Sequence, residues 1–84
     1  MRITFKLFAQ LTDYLPVEAR YTNVIEIEVD PQASISQVIE PFQLPPKLVH
    51  LVLVNGTYIA PAQRLSQTLN EGDVLAIWPP IAGG

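Results

Sequence analysis

The residues most able to do chemistry stand at the end of the sequence, in the run Trp78-Pro79-Pro80-Ile81-Ala82-Gly83-Gly84. No charged side chain follows Asp73. Two successive prolines lack backbone donors, so a strand that reaches Trp78 should stop there. Their fixed φ favours an extended, stiff spacer, and six further residues can reach on the order of 20 Å at about 3.3 Å each. The pattern predicts a neutral projecting tail over residues 79–84, with the carboxylate of Gly84 at its tip.

A carboxylate at the end of such a tail can become a reacting group. It is a poor electrophile until an enzyme couples it to AMP, and the activated carbonyl must then be reached inside another protein. Glycine has no Cβ to block either step, and a narrow tunnel that admits two glycines rejects ordinary chain ends. The alternative is a frayed tail, which gains nothing from prolines or apolar residues. We therefore interpret Gly84 as the adenylation site and expect partners to recognise the rest of the tail, which comprises Pro79, Pro80, Ile81, Ala82 and Gly83.

Length and composition limit the remaining possibilities. The 84 residues suit one domain, which we place at residues 1–78, with the tail at 79–84. Hydrophobic residues make up 49% of the chain and charged residues only 15%, against about 25% charged in an ordinary soluble domain. This excess of apolar residues predicts a surface that a partner protein covers.

Charge and cysteine content argue against several classes of function. The net charge is −3, which provides neither the basic stripe typical of nucleic-acid binding nor a polybasic membrane patch. The absence of cysteine excludes disulfides, thiolate metal sites and cysteine nucleophiles. The N-terminus lacks the apolar stretch of a signal peptide, and no apolar run approaches the roughly 18 residues of a membrane span. We expect a cytoplasmic protein that binds neither metal nor membrane.

Alternating and apolar segments predict five strands around one helix. The strands are expected at residues 2–8, 24–30, 48–54, 57–59 and 74–78. Asn55-Gly56 is a strong hairpin signal between the third and fourth strands. Leu65 and Leu69, spaced i and i+4, suggest one helical turn, and residues 9–23 are expected to be a connection.

The helix should be short. Ser34 is the expected N-cap, with Gln37 completing a capping box, and Pro41 should end the helix near residue 40. Its apolar face consists of residues spaced i, i+3, i+4 and i+7: Ile35, Val38, Ile39 and Phe42. One short helix on a mixed sheet of four to five strands is an α+β arrangement.

Three segments together resemble the ubiquitin-like sulfur carriers, a family that includes the small subunit of molybdopterin synthase and the thiamine-pathway carrier. The first two are Phe8-Ala9-Gln10-Leu11 and Val54-Asn55-Gly56, and the third runs from Glu71-Gly72-Asp73 through Trp78-Pro79-Pro80 to Gly84. The Pro-Pro pair is more similar to the molybdopterin carrier. The resemblance implies a β-grasp fold, in which the last strand lies parallel to the first at the centre of the sheet.

The resemblance also implies a function. An E1-like adenylating enzyme would activate Gly84, a persulfide sulfur donor would convert the AMP adduct to a thiocarboxylate, and the large subunit of a synthase would use that sulfur in molybdopterin synthesis. The chain would be a carrier without catalytic residues or a permanent cofactor. Two alternatives stay open: a carrier for thiamine thiazole synthesis, and a ubiquitin-like modifier joined to lysine through Gly84. A plain binding module with an inert tail is a third.

Ubiquitin-like register further implies an outward-facing patch near the start of the tail, because Val52, Val54, Leu75 and Ile77 would belong to the core. The partner interface is then expected to comprise Phe8, Leu51, Leu53, Ala76 and Trp78, with Ile81 beside it. Aromatic residues in such patches are frequent hot spots. The alternative is that Trp78 folds back onto its own sheet.

The remaining polar candidates have simpler interpretations. His50 is the only histidine, and without a second ligand it is expected to be structural or neutral. Glu26, Glu28 and Asp30 alternate along a strand and should form its solvated face. Arg64 and Lys47 could contact an acidic partner.

Overall fold

The structure, a computed structural model, describes residues 1–80. The predictions for Ile81, Ala82, Gly83 and Gly84 lie outside the described residues. The strands are β1 (Arg2–Leu7), β2 (Val24–Glu28), β3 (Leu51–Val54), β4 (Thr57–Tyr58) and β5 (Val74–Trp78), and the α-helix is α1 (Ile35–Ile39). Short 3-10 helices cover Ala9–Tyr14, Val17–Ala19, Glu40–Phe42, Pro46–Leu48 and Gln63–Leu65.

The five strands form one mixed sheet in the order β2-β1-β5-β3-β4. β1 pairs antiparallel with β2 and parallel with β5, and β5 pairs antiparallel with β3. The parallel β1–β5 pair at the centre of the sheet is the one that the resemblance implied. The predicted α+β, β-grasp fold is therefore confirmed.

The core lies between the helix-facing side of the sheet and α1. Alternate residues of β1 are fully buried, and the ring of Phe5 lies 4.5 Å from that of Phe42, centroid to centroid. Val52, Val54, Leu75 and Ile77 are all buried in this cluster, as predicted. We call this side of the sheet the inner face, and the opposite side the outer face.

Helix α1 begins with the predicted capping box. The backbone N–H of Gln37 donates to Ser34 Oγ (3.2 Å), and the N–H of Ser34 donates to Gln37 Oε1 (2.9 Å). The α-helix ends at Ile39 and tightens into a 3-10 turn that contains Pro41, because proline has no N–H to continue the ladder. Gln43 then takes a left-handed conformation, with φ of 54°.

We expect the substitution Ser34→Ala to lower the free energy of unfolding by about 1 kcal/mol, the usual cost of losing an N-cap oxygen. Urea denaturation followed by Trp78 fluorescence measures the change. Ser66→Ala is the matched control, since Ser66 is exposed and caps no α-helix. An equal effect of the two substitutions would contradict the capping role of Ser34.

The Asn55-Gly56 hairpin is confirmed, with positive φ at both residues (51° and 83°). Asn55 also connects this hairpin to the start of β5. Its Nδ2 donates to Asp73 Oδ1 (2.8 Å), and its Oδ1 accepts from the N–H of Val74 (2.9 Å). The two bonds hold the β3–β4 turn against the turn that precedes β5.

Several boundaries differ from the predictions. β3 begins at Leu51 rather than at residue 48, because Pro46–Leu48 form a 3-10 turn. The helical turn expected from the spacing of Leu65 and Leu69 is a 3-10 turn that covers only Gln63–Leu65. Leu65 is 73% exposed, whereas Leu69, which lies beyond the turn, is buried. Within residues 1–80, no helix is long and apolar enough to cross a membrane.

Candidate functional site

Strand β5 lies in the middle of the sheet and ends at the candidate site. It lies between β1 and β3, and its last residue, Trp78, is opposite Leu51. Pro79 is buried and Pro80 is exposed. Pro79 therefore packs with the body of the domain, one residue beyond the domain end expected at Trp78. Because β5 is paired on both sides, the sheet fixes the point at which the chain leaves it.

An aromatic stack stands at this point. The rings of Phe8 and Trp78 are stacked in nearly parallel planes, with an interplanar angle of 5° and centroids 3.9 Å apart. The backbone N–H of Phe8 donates to the carbonyl of Ile77 (3.2 Å), which ties the residue after β1 to the end of β5. Stacked aromatic pairs contribute about 0.5–1.5 kcal/mol beyond burial. Phe8 and Trp78 therefore form one platform, and one face of Trp78 is already covered by its own domain.

Two leucines extend the platform across β3. Leu51 and Leu53 are half-buried and alternate with the buried Val52 and Val54. Leu51 is opposite Trp78, and Leu53 is opposite Ala76. The structure thus brings Phe8, Leu51, Leu53 and Trp78 together on the outer face, and we refer to these four residues as the outer patch.

Ala76 does not belong to the accessible part of this surface. It was expected to face a partner, but it is only 7% exposed. Its cross-strand neighbours are Lys6 on β1 and Leu53 on β3. Both have longer side chains on the same face, so a methyl group between them is covered even though it points away from the core.

Arg64 has a structural position that the sequence did not reveal. Only 7% of its surface is exposed. From the sequence, Arg64 is expected as a possible contact for an acidic partner. Its Nε donates to the carbonyl of Ile59 (3.0 Å), Nη2 to that of His50 (3.2 Å) and Nη1 to that of Val49 (3.4 Å). A lone arginine between Gln63 and Leu65 gives no sequence signal for this role.

The contacts of Arg64 fix the backbone that leads into the β3 part of the outer patch. The guanidinium holds the carbonyls of residues 49–50, which lead directly into β3, and the N–H of His50 donates to the carbonyl of Trp78 (3.2 Å). Arg64 therefore positions the segment that pairs with the end of β5. His50 itself has an exposed side chain and contributes through its backbone.

We expect Arg64→Met to lower the free energy of unfolding by about 2 kcal/mol, because buried carbonyls would lose charge-assisted hydrogen bonds. Lys47→Met is the matched control, since Lys47 is exposed and its substitution removes the same charge. Urea denaturation of both variants tests the difference. Equal midpoints for the two variants would show that the buried guanidinium contributes nothing.

The acidic residues of β2 lie away from this site. Glu26 and Glu28 are exposed, and Arg2 Nε donates to Glu28 Oε2 at 2.9 Å. This hydrogen bond, followed by the charges of Glu28 and Glu26, raises the pKa of Arg2. Asp30 accepts from the backbone N–H of Gln32 (2.8 Å). Among residues 1–80, no three His, Asp or Glu side chains are grouped so as to hold a metal ion.

Comparison with known proteins identifies one matching family. The sequence profile of the ThiS family matches residues 5–84. A search of curated protein sequences finds no match.

Solved structures show the same fold. Small archaeal modifier protein 1 of Haloferax volcanii matches with a TM-score of 0.69 and 24% identity, covering all of both chains. A chain from the complex of subunits 1 and 2 of the molybdopterin-converting factor of Helicobacter pylori matches with a TM-score of 0.65 and 20% identity, again over all of both chains. A protein of Pyrococcus furiosus named as a putative molybdopterin-converting factor, subunit 1, matches with a TM-score of 0.64 and 21% identity. The match covers 96% of this chain and 99% of that one.

Proposed function

This chain belongs to the ThiS family, and from that premise we propose that it carries sulfur as a thiocarboxylate on Gly84. An E1-like enzyme couples the carboxylate to AMP. The terminal sulfur of a persulfide donor then displaces AMP and forms an acyl disulfide. A second thiol cleaves the S–S bond of that intermediate by thiol–disulfide exchange, which releases the thiocarboxylate and leaves a disulfide on the donor side. The chain contributes the reacting carbonyl, while the catalytic groups belong to its partners.

The observation that carries this proposal is the combination of the family match through residue 84 with the position of β5. A terminal group that must enter another protein's active site needs a rigid starting point, since the effective concentration of a tethered group depends on its tether. β5 is held on both sides, and Pro79 is packed against the body while Pro80 is exposed. The buried Pro79 therefore holds the end of β5 in a fixed position beside the outer patch.

We assign the sulfur to molybdopterin synthesis, with the large subunit of the synthase as acceptor. The assignment rests on the resemblance of the Pro79-Pro80 pair and on the likeness in fold to one chain of the converting-factor complex. In this proposal the outer patch docks the large subunit, and residues 80–84, which follow the buried Pro79, enter its active site. Thiamine thiazole synthesis is the alternative sulfur pathway.

A ubiquitin-like modifier is the second candidate, consistent with the fold shared with small archaeal modifier protein 1. Both candidates use the same adenylated Gly84 and differ in the nucleophile that attacks it. Sulfur attack leaves a free carrier, whereas attack by a lysine amine leaves an isopeptide. The tail alone is compatible with both reactions.

The test is to incubate the 84-residue chain with an activating enzyme of the family, ATP and a sulfide source, and to measure the intact mass. We expect the mass increase of one exchange of oxygen for sulfur, dependent on ATP. Mass measurement of the protein isolated from its own cells then separates the candidates. Covalent adducts with larger proteins, in the absence of a thiocarboxylate form, would overturn the carrier assignment in favour of the modifier.

A further inference from the structure

An open groove lies along β2, on the side of the domain formed by β2 and α1. Among residues 1–80, β2 is an edge strand that pairs with β1 alone. The groove has a volume of about 410 Å³ and is mainly apolar. Its walls include Ile27 from β2 and Val29 just after it, Ala33 and Val38 from the helical side, and Phe42 beyond Pro41.

The unpaired edge of β2 presents regularly spaced backbone groups. Met1 and Val29 exchange two hydrogen bonds (2.9 and 2.8 Å), and the N–H of Leu7 donates to the carbonyl of Asn23 (3.2 Å). In an antiparallel pair, hydrogen-bonded residues alternate with residues whose N–H and C=O point away. The backbone groups of Val24, Glu26 and Glu28 therefore point outward, which is the geometry that accepts an additional strand.

The side chains on the two faces of this edge differ in chemistry. On the inner face, Ile27 and Val29 line the groove. On the outer face, Glu26 and Glu28 are exposed and share Arg2, whose Nη1 lies 3.7 Å from Glu26 and whose Nε lies 2.9 Å from Glu28.

The charge around this edge is not balanced. The Met1 ammonium lies 4.0 Å from Glu28, and Glu71 accepts from the backbone N–H of Arg2 at 3.0 Å. Asp30 adds a further carboxylate at the end of the groove. Lys6, which is opposite Val24, adds a third cation beside Arg2 and the Met1 ammonium. Four carboxylates thus stand against three cations, and the edge keeps a small net negative charge.

We propose that β2 is a second docking site, which accepts an extended segment of a partner protein as an added strand. Alternate residues of the segment are apolar and enter the groove between β2 and α1. The residues between them are basic and lie beside Glu26 and Glu28. Backbone pairing supplies affinity in this mode of recognition, and the alternate side chains supply specificity.

A second copy of the chain does not fit this edge. Antiparallel pairing of two β2 strands about their centre places Glu26 opposite Glu26, and like charges directly opposite each other are destabilising. A basic segment removes this repulsion. The site is separate from Gly84 and from the outer patch, so it does not depend on the proposed sulfur chemistry.

The test uses a synthetic heptapeptide of alternating lysine and valine, titrated into the isotopically labelled chain. We expect the amide NMR signals of Val24, Glu26 and Glu28 to shift and their hydrogen exchange to slow, together with shifts at Ala33 and Val38. A peptide of the same composition with its lysines and valines in two blocks should bind at least about threefold more weakly, because it cannot place valines in the groove at every second position.

Two charge-reversal variants complete the experiment. Glu26→Lys should weaken binding about three- to tenfold, since it converts an attraction into a repulsion, and Asp13→Lys should not, because Asp13 lies outside β2 and the groove. Thiocarboxylate formation at Gly84 should be unchanged in both variants, so this result and that of the sulfur assay are independent. Equal weakening by both variants, equal binding of the block peptide, or shifts confined to the outer patch would each overturn the proposal.

Discussion

Removal of Gly83 and Gly84 should abolish thiocarboxylate formation and leave the stability of the domain unchanged. The shortened chain ends at Ala82, so its carboxylate is set back by two residues, or about 7 Å. A displacement of even 1 Å from the reacting geometry can lower a rate about a hundredfold. We therefore expect no product detectable by intact mass in the presence of activating enzyme, ATP and sulfide.

The stability measurement makes this experiment interpretable. Two residues without side chains bury almost no apolar surface, so the free energy of unfolding should change by less than about 0.5 kcal/mol. Gly84→Ala is the matched variant, because it keeps the chain length and the carboxylate but adds a Cβ at the reacting residue. Formation of a thiocarboxylate at the normal rate by either variant would contradict the assignment of Gly84, and unfolding of the truncated chain would contradict a tail separate from the core.

The second large effect is expected at the aromatic stack of the outer patch. Trp78→Ala should weaken association with the large synthase subunit about thirtyfold, which corresponds to the roughly 2 kcal/mol of an interface hot spot. The physical reason is that Trp78 supplies the largest side chain of the patch and stands directly before the segment that we propose to enter the partner. Isothermal titration calorimetry measures the change.

Three further variants separate docking from folding. Trp78→Phe should retain part of the affinity, because it preserves a ring stacked on Phe8. Phe8→Ala combined with Trp78→Ala should cost less than the sum of the single substitutions, since the two rings act as one platform. Tyr21→Ala is the control, because Tyr21 is 90% exposed and lies outside the patch. Unchanged affinity in Trp78→Ala would show that the outer patch does not dock this partner.

Local signals in the sequence determined most of the secondary structure. The Asn55-Gly56 turn, the Ser34 capping box and the helix end before Pro41 all depend on residues within a few positions of one another. Their outcome is decided by backbone sterics and short-range hydrogen bonds. The alternation of apolar and polar residues predicts the strands. The predicted β3 is three residues too long, because an apolar stretch does not distinguish a strand from a 3-10 turn.

The composition of the site was decided by contacts between residues distant in sequence. Ala76 is covered because Lys6 and Leu53 come from two different strands, and Phe8 meets Trp78 only because β1 and β5 are parallel neighbours. The buried Arg64 donates hydrogen bonds to the carbonyls of residues 49, 50 and 59. Side-chain type alone does not report such surroundings, because burial depends on which larger neighbours the fold brings alongside.

The sequence by itself thus determined the diglycine segment, the family it resembles and the kinds of element that lead up to it. The tertiary structure decided where the chain leaves the sheet, which outer-face residues remain accessible and how β2 becomes an acidic edge beside an apolar groove. The physical reason is that short-range conformational preferences are properties of adjacent residues, whereas a surface is made by strands that only the folded sheet places side by side.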